Sequence, residues 1–146
     1  VITTGAAQTL LRAYQVAPGR RVLVAGHGPL NLQVARELTR AGVEVVAVAE
    51  LAARPGPRQF GDVLAMARTA PALVADGVRH TLALRACGVP LLHRHVLLRA
   101  EGTRRVERAV LARIGDQGEP LPGSERPFDV DAVCMGYGFL PQSELP

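Results

Sequence analysis

Short valine-rich runs alternate with amphipathic stretches in the first third of the chain. The runs at Arg21–Ala25 and Glu44–Ala49 are too short for helices, and their apolar character predicts two buried strands. Between them, Leu30–Ala41 places apolar residues on one helical face and charged residues on the other, which predicts an amphipathic helix. Ala6–Tyr14 shows the same spacing and predicts an earlier helix.

The remaining two thirds of the chain predict two helices, a hairpin with a polar turn at Glu101–Thr103, a loop-rich stretch and a last buried strand. These segments are, in chain order, the helices Gln59–Ala67 and Ala72–Cys87, the strands Leu91–Arg99 and Val106–Ile114, the loops of Gly115–Pro127 with room for one short strand, and the strand Asp131–Met135. The whole order predicts an α/β, three-layer Rossmann-like nucleotide-binding domain. It has a parallel sheet, helices and a small antiparallel β-meander at about residues 95–128.

The length of the chain, 146 residues, is typical of one domain, so we expect residues 1–146 to form a single nucleotide-binding domain. The chain begins at Val1 rather than at a methionine, and residues 138–146 have the composition of a loop that leads onward. We therefore expect this domain to be part of a longer protein.

The composition excludes several classes of partner. No apolar run approaches the roughly 18 residues of a spanning helix, so we expect no membrane span. The net charge is +4, but the 17 basic residues, all arginine, are scattered, and few aromatic residues could stack on bases, so we expect no nucleic-acid partner. Two distant cysteines form neither a disulfide framework nor a redox motif, which suits a cytoplasmic protein.

The turn between the first predicted strand and its helix reads Gly26-His27-Gly28-Pro29-Leu30-Asn31, a variant of the dinucleotide-binding fingerprint. Gly26 permits the tight turn, and Gly28 allows the backbone to approach a pyrophosphate. The helix N-terminus then offers free N–H groups and a positive dipole end to the anion. Pro29 suits the first helical position but removes one possible phosphate donor, and His27 is placed to touch a phosphate or an adenine.

Asn31 departs from the dinucleotide-binding fingerprint, whereas Glu50 agrees with it. Asn31 replaces the third glycine, which normally permits close helix–strand packing, so we expect this helix to stand slightly off the sheet. Glu50 ends the second strand, where an acid commonly binds ribose hydroxyls and repels a 2′-phosphate. It therefore favours NAD(H) or another unphosphorylated adenine nucleotide over NADPH, although Arg54 and Arg58 weaken this preference.

The sequence resembles the NAD-binding domain of the pyridine nucleotide-disulfide oxidoreductase class. The glycine turn carries the resemblance together with the closing stretch Val133–Pro141. The overlapping segment Gly138-Phe139-Leu140-Pro141-Gln142, with Leu145, is similar to the exit of that domain. The segments Thr4–Leu11 and Gly123–Arg126 look closest to one branch of the class. That branch comprises the α-subunits of opine oxidases, hydroxyproline and proline dehydrogenases, and hydrogen cyanide synthase.

This resemblance implies the setting of the domain. It implies a flavoprotein that holds FAD in a flanking domain outside this chain and receives electrons from a separate catalytic subunit. The parent would be an amino-acid or opine dehydrogenase or oxidase. We do not expect the isolated chain to catalyse a reaction, because the flavin it would reduce lies elsewhere.

The ligand class stays open between three alternatives. A nicotinamide dinucleotide needs room near Gly136, Tyr137 and Gly138, whereas a non-catalytic module binding ATP or ADP does not. The third alternative is a vestigial structural domain with an empty site.

Few other residues suggest chemistry. His93 and His95 would share one face of the predicted strand, but no third ligand is placed nearby, so we expect no metal site. Cys87 and Cys134 are expected to be small buried hydrophobic residues, because no base has an evident claim on either thiol. We expect no catalytic residue in this chain.

Overall fold

The structure, a computed structural model, describes residues 1–54, 56–57 and 60–138. It contains eight strands and four helices within those residues. In chain order they are β1 (Ile2–Thr3), α1 (Thr4–Tyr14), β2 (Arg21–Gly26), α2 (Pro29–Arg40), β3 (Glu44–Glu50), α3 (Phe60–Thr69), α4 (Pro71–Ala86), β4 (Leu91–His93), β5 (His95–Glu101), β6 (Arg108–Arg113), β7 (Arg126–Asp129) and β8 (Ala132–Gly136).

Two sheets organise the fold. Five parallel strands lie in the order β1-β8-β2-β3-β4, and β5, β6 and β7 form a separate antiparallel meander. This arrangement confirms the predicted α/β Rossmann-like architecture, including the meander as an additional layer. None of the helices in the described part of the chain is long and apolar enough to cross a bilayer.

The parallel sheet is covered on both faces, as its near-continuous apolar strands require. In β2, Val22 and Val24 pack in one core cluster with α1, α2 and α4. Leu23 and Ala25, on the opposite face of the same strand, pack in a second cluster with β6 of the meander. The period of two along β2 therefore sends alternate side chains to the helical layer and to the meander.

The helix boundaries follow local chemistry. The Thr3 side chain accepts a hydrogen bond from Ala6 N and caps α1, which ends at Tyr14 and is followed by the left-handed residue Gln15, with a φ of 56°. Pro29 occupies the first position of α2, where its missing N–H costs no helical bond. After α2, Gly42 takes a φ of 82°, which agrees with its predicted role as a helix stop.

The predicted single strand over Leu91–Arg99 is wrong. Arg94 has a φ of 56°, a left-handed conformation that interrupts the extended backbone. On one side of this break, β4 pairs with β3 in the parallel sheet, and on the other side β5 pairs with β6 in the meander. The chain thus changes sheets at Arg94, where the sequence carries no glycine or proline to mark the break.

Two shorter elements also differ from the predictions. The strand β1 has only two residues and pairs with the end of β8, so its sequence carries too little pattern to be recognised. The strand β7 begins at the end of the stretch predicted as loops with room for one short strand and extends beyond it, and Pro127 within it is on an edge of the meander, where proline is tolerated. The predicted hairpin turn at Gly102 is confirmed between β5 and β6.

Candidate functional site

The motif residues meet at the carboxyl edge of the parallel sheet. Gly26 at the end of β2 is in register with Gly136 at the end of β8 and with Glu50 at the end of β3. Glu50 is in turn in register with His93 at the end of β4. Four residues that are far apart in sequence therefore form one row across the sheet.

This row includes the topological switch point of the sheet. From β2 the chain continues through α2 to β3 on one side, whereas β8, which follows the meander, lies on the other side of β2. In open α/β sheets, ligands bind outside the carboxyl ends of the strands at such a point. The fold therefore predicts a ligand site at the carboxyl ends of β2 and β8, beside Gly26 and Gly136.

The backbone at Gly26 leaves no room for a side chain. Its φ is 154°, and a Cβ atom there would lie 1.9 Å from the Gly136 carbonyl oxygen. The same oxygen accepts a hydrogen bond from His27 N at 2.7 Å, and Gly26 O accepts one from Leu51 N at 2.9 Å. The turn is thus tied by backbone bonds to the ends of both neighbouring strands.

Gly28 presents an open backbone in front of α2. Its φ of 100° and ψ of 172° belong to a region that is essentially reserved for glycine, and among the described residues no atom beyond its two chain neighbours lies within 4 Å of the position a Cβ would take. The N-terminus of α2 begins directly after it, at Pro29 and Leu30. An open glycine in front of a helix N-terminus fits the approach of a pyrophosphate.

The carboxylate of Glu50 is bonded to this same turn. Oε2 accepts a hydrogen bond from Gly28 N at 3.1 Å, and Oε1 accepts bonds from Ala52 N at 3.0 Å and from the His27 ring at 2.8 Å. A carboxylate only accepts, so with Glu50 in that form the tautomer of His27 that carries the proton on Nδ1 donates in this contact. The Glu50 side chain is 12% exposed and that of His27 57%, so the acid lies below the imidazole.

Asn31 is buried and hydrogen-bonded at both ends of its amide, although the fingerprint has glycine at its position. It is 1% exposed, its Nδ2 donates to Gly136 O at 2.8 Å, and its Oδ1 accepts from Thr4 Oγ1 at 2.9 Å. A Cβ at Gly136 would lie 2.4 Å from Asn31 Oδ1. The missing third glycine is therefore compensated by a glycine on β8, which gives the amide its space.

Tyr137 and Gly138 follow β8 at the other end of the candidate site. Tyr137 is 44% exposed, and burial raises the pKa of its phenol although a hydrogen bond with the Leu97 backbone acts in the opposite sense. The tyrosine thus lies between the edge of the parallel sheet and the meander. The rest of the predicted exit motif, from Phe139 onward, and Arg58 lie outside the described residues, whereas Arg54 is exposed after β3.

The predicted common face of His93 and His95 is wrong, because the left-handed Arg94 places them on strands of different sheets. His95 is buried, and its Nδ1 lies 2.7 Å from the carbonyl oxygen of His93. Within residues 1–54, 56–57 and 60–138, no three His, Cys, Asp or Glu side chains are grouped as a metal site would require.

The two cysteines differ from each other. Cys134 is buried in β8 as predicted, and burial raises the pKa of its thiol to about 11. Cys87 follows α4 and is exposed, so the prediction that it is buried is wrong. Cys87 stands after the last helical residue, Ala86, and before the left-handed Gly88, so it lies in the turn that leaves α4.

Sequence reasoning missed two participants in the site. Thr4, in the first turn of α1, reaches Asn31 across 27 positions of sequence, and no local signal marks that contact. His93 lies beside Glu50 only because β4 is a parallel strand, and its buried Nδ1 has no hydrogen-bond partner in the part of the chain that the structure describes. A correct division of Leu91–Arg99 would have placed His93 at this edge.

Comparison with known proteins gives similarity over nearly the whole chain. No family model matches the sequence of this chain. Hydrogen cyanide synthase subunit HcnB from Pseudomonas aeruginosa is 30% identical over 145 residues, which cover 99% of this chain and 31% of that subunit. The chain therefore spans about a third of the length of this relative.

Solved structures reproduce the fold. An FAD-dependent pyridine nucleotide-disulphide oxidoreductase from Desulfovibrio vulgaris matches with a TM-score of 0.60 and 21% identity, over 99% of this chain and 31% of that one. Histamine dehydrogenase from Rhizobium sp. 4-9 matches with a TM-score of 0.62 and 14% identity, over 99% of this chain and 19% of that one. The predicted resemblance to pyridine nucleotide-disulfide oxidoreductases and to hydrogen cyanide synthase subunits is confirmed.

Proposed function

We propose that the carboxyl edge of the parallel sheet binds NAD(H), and that this chain is the dinucleotide-binding domain of an FAD-dependent oxidoreductase. One observation carries the proposal: the register row Gly136–Gly26–Glu50 stands directly in front of the N-terminus of α2. A glycine turn, a helix N-terminus and a strand-terminal acid are the three parts by which a Rossmann unit holds a dinucleotide.

Each part would hold a different portion of the ligand. Gly28 and the first turn of α2 would receive the pyrophosphate, since the backbone there is open and the helix dipole favours an anion. Glu50 would accept a hydrogen bond from the adenosine ribose, and the backbone at Gly136–Gly138 would border the nicotinamide half. The bound cofactor would supply hydride transfer, while this chain supplies binding and orientation.

The parent protein is proposed from the comparisons. Similarity to about a third of a hydrogen cyanide synthase subunit supports a longer protein of which this is one domain. We propose that a flanking domain holds FAD, that a separate catalytic subunit delivers electrons, and that the substrate is an amino acid or an opine.

A non-catalytic ATP or ADP site is the second candidate, and Tyr137 is the observation that favours it. The tyrosine follows β8 on the side of the switch point where the second half of a dinucleotide would lie, and its phenol forms a hydrogen bond with the Leu97 backbone of the meander. If this ring stays in place, it occupies space that a nicotinamide needs. ADP contains the portion that both candidate ligands share.

Calorimetric titration of the full 146-residue chain with NADH, NADPH, ADP and ATP tests both candidates. The NAD(H) proposal expects NADH to bind several-fold more tightly than ADP, because the nicotinamide half adds contacts. Equal affinity for NADH and ADP would favour the adenine-nucleotide module instead. The absence of binding for all four nucleotides at millimolar concentration would overturn both and leave a structural domain.

A further inference from the structure

The carboxylate of Glu50 is nearly filled by donors from its own chain. An ionised carboxylate offers about four acceptor positions on its two oxygens. Oε1 already accepts from His27 Nδ1 and Ala52 N, and Oε2 accepts from Gly28 N. Of the donors that the structure describes around Glu50, these three leave about one position, on Oε2, for a ribose hydroxyl.

Of the three donors to Glu50, His27 is the one that competes most directly with a ligand. The bonds from Gly28 and Ala52 come from backbone amides that are fixed by the turn and by the end of β3. The imidazole, in contrast, belongs to a side chain that is 57% exposed and reaches Glu50 from the solvent side. It therefore stands where a second ribose hydroxyl would have to bind.

We propose that His27 is a specificity-determining residue that restricts Glu50 to a single ribose hydroxyl. The wild-type chain then tolerates an adenine nucleotide that lacks whichever of the 2′- and 3′-hydroxyls the one free position on Glu50 does not hold. Without the imidazole, Oε1 becomes accessible and Glu50 grips both hydroxyls. This inference rests on the proposed nucleotide site and names the selectivity at its ribose end.

Binding of ADP, 2′-deoxy-ADP and 3′-deoxy-ADP to the full chain and to His27→Ala tests the inference by calorimetry. In the wild type, we expect at least one deoxy ligand to bind within about twofold of ADP, since losing an unbound hydroxyl removes no hydrogen bond. In His27→Ala, we expect each deoxy ligand to bind about tenfold more weakly than ADP, because each hydroxyl then bonds to a carboxylate. His80→Ala, on α4, is the matched control and should keep the wild-type pattern.

The outcomes separate this inference from the proposed function. If ADP binds the wild type but both deoxy ligands already bind about tenfold more weakly, Glu50 grips two hydroxyls with His27 present and the inference is overturned. Weaker ADP binding by His27→Ala with unchanged deoxy penalties would make His27 a phosphate contact and would also overturn it. If neither ADP nor NADH binds the wild type, the proposed function falls and this inference with it. Should His27→Ala melt early, His27→Ser repeats the measurement with a side chain too short to reach Glu50.

Discussion

Asn31 Nδ2 donates a hydrogen bond to the carbonyl oxygen of Gly136 at 2.8 Å, joining the start of α2 to the end of β8. The other end of the amide accepts from Thr4 Oγ1, so the same side chain also reaches the first turn of α1. Gly136 O additionally accepts from His27 N. The Asn31 amide therefore links α2 to both β8 and α1, and the Gly136 carbonyl joins the glycine turn to the same point.

We predict that Asn31→Gly lowers the stability of the chain. The change removes both side-chain bonds and leaves the buried Thr4 hydroxyl without its acceptor, at a cost of about 1–3 kcal/mol. Glycine also loses more backbone entropy within a helix. Thermal unfolding should show a melting temperature lower by roughly 2–4 °C for each kcal/mol.

Thr4→Val is the companion variant for this prediction, because it removes only the hydroxyl that donates to Asn31. We expect it to lower the melting temperature by less than Asn31→Gly does. An Asn31→Gly chain that melts higher than the wild type and binds NADH more tightly would show that Asn31 is merely a lost glycine.

We predict that Gly28→Val abolishes nucleotide binding. A valine side chain would fill the open space in front of α2 that a pyrophosphate needs, and the φ of 100° adds about 1–3 kcal/mol of backbone strain. Gly118→Val is the matched control, because Gly118 also has a positive φ, of 86°, and open surroundings, but lies in the meander. Both variants should lose stability, and only Gly28→Val should lose ADP in calorimetry. Binding by Gly28→Val within twofold of the wild type would contradict the fingerprint.

The β2–α2–β3 unit could be predicted from sequence because its signals are local. A strand, a turn and an amphipathic helix each have their own period, and Gly26, Gly28 and Glu50 stand at the junctions. Parallel pairing then brings these junctions to one edge of the sheet. The local patterns of the sequence therefore suffice to predict that Gly26 and Glu50 belong to one site.

The sequence did not predict the contacts that depend on distant pairing. The Asn31 side chain was expected to disturb the packing of α2, and only the position of Gly136 beside it explains why the amide fits. Likewise, the break at Arg94 carries no glycine or proline signal, and the polar triplet His93-Arg94-His95 between two apolar runs is equally compatible with one continuous strand. Both features are decided by which strands become neighbours.

We predict that Glu50→Gln narrows the preference for NADH over NADPH. The change keeps the size of the side chain but removes the charge that repels a 2′-phosphate, an effect of about tenfold for groups a few ångströms apart near a protein surface. Glutamine keeps one acceptor oxygen for the backbone amides, whereas alanine would leave the amides of both Gly28 and Ala52 without their acceptor. Glu44→Gln, at the opposite end of β3, should leave the ratio unchanged. A wild-type preference for NADPH would mean that an arginine such as Arg54 dominates over Glu50.

The two cysteines should differ sharply towards a thiol reagent such as a chromogenic disulfide. Cys87 is exposed, whereas Cys134 is buried with its pKa raised to about 11, and the thiolate is the reactive form. We expect one thiol to react in the native chain and the second to react only after unfolding in guanidinium. Cys87→Ser should therefore abolish the native reaction, and rapid native labelling of that variant would contradict the burial of Cys134.

Glu37 on α2 joins the first two helices through a set of charged and polar contacts. Arg12 Nε on α1 donates to Glu37 Oε2 at 3.0 Å, and Gln33 Nε2 donates to Oε1 at 3.0 Å. Burial alone would raise the pKa of Glu37, but the hydrogen bonds from Arg12, Gln33 and Gln8 outweigh it, so the pKa is lowered.

The lowered pKa of Glu37 predicts a pH-dependent contribution to stability with a definite sign. The folded state favours the carboxylate, so the contribution is complete above the unfolded pKa of about 4.3 and is lost as pH falls through the lower folded pKa. Glu37→Gln should therefore melt below the wild type at neutral pH, and the gap should shrink as the pH falls below about 4. Because the partners are partly exposed, we expect a gap of about 0.5–1 kcal/mol, measured by thermal unfolding across pH 3–7. Arg12→Gln, which removes the cationic donor, should reproduce part of this change, and a gap that stays constant across the range would show that Glu37 is not the titrating group.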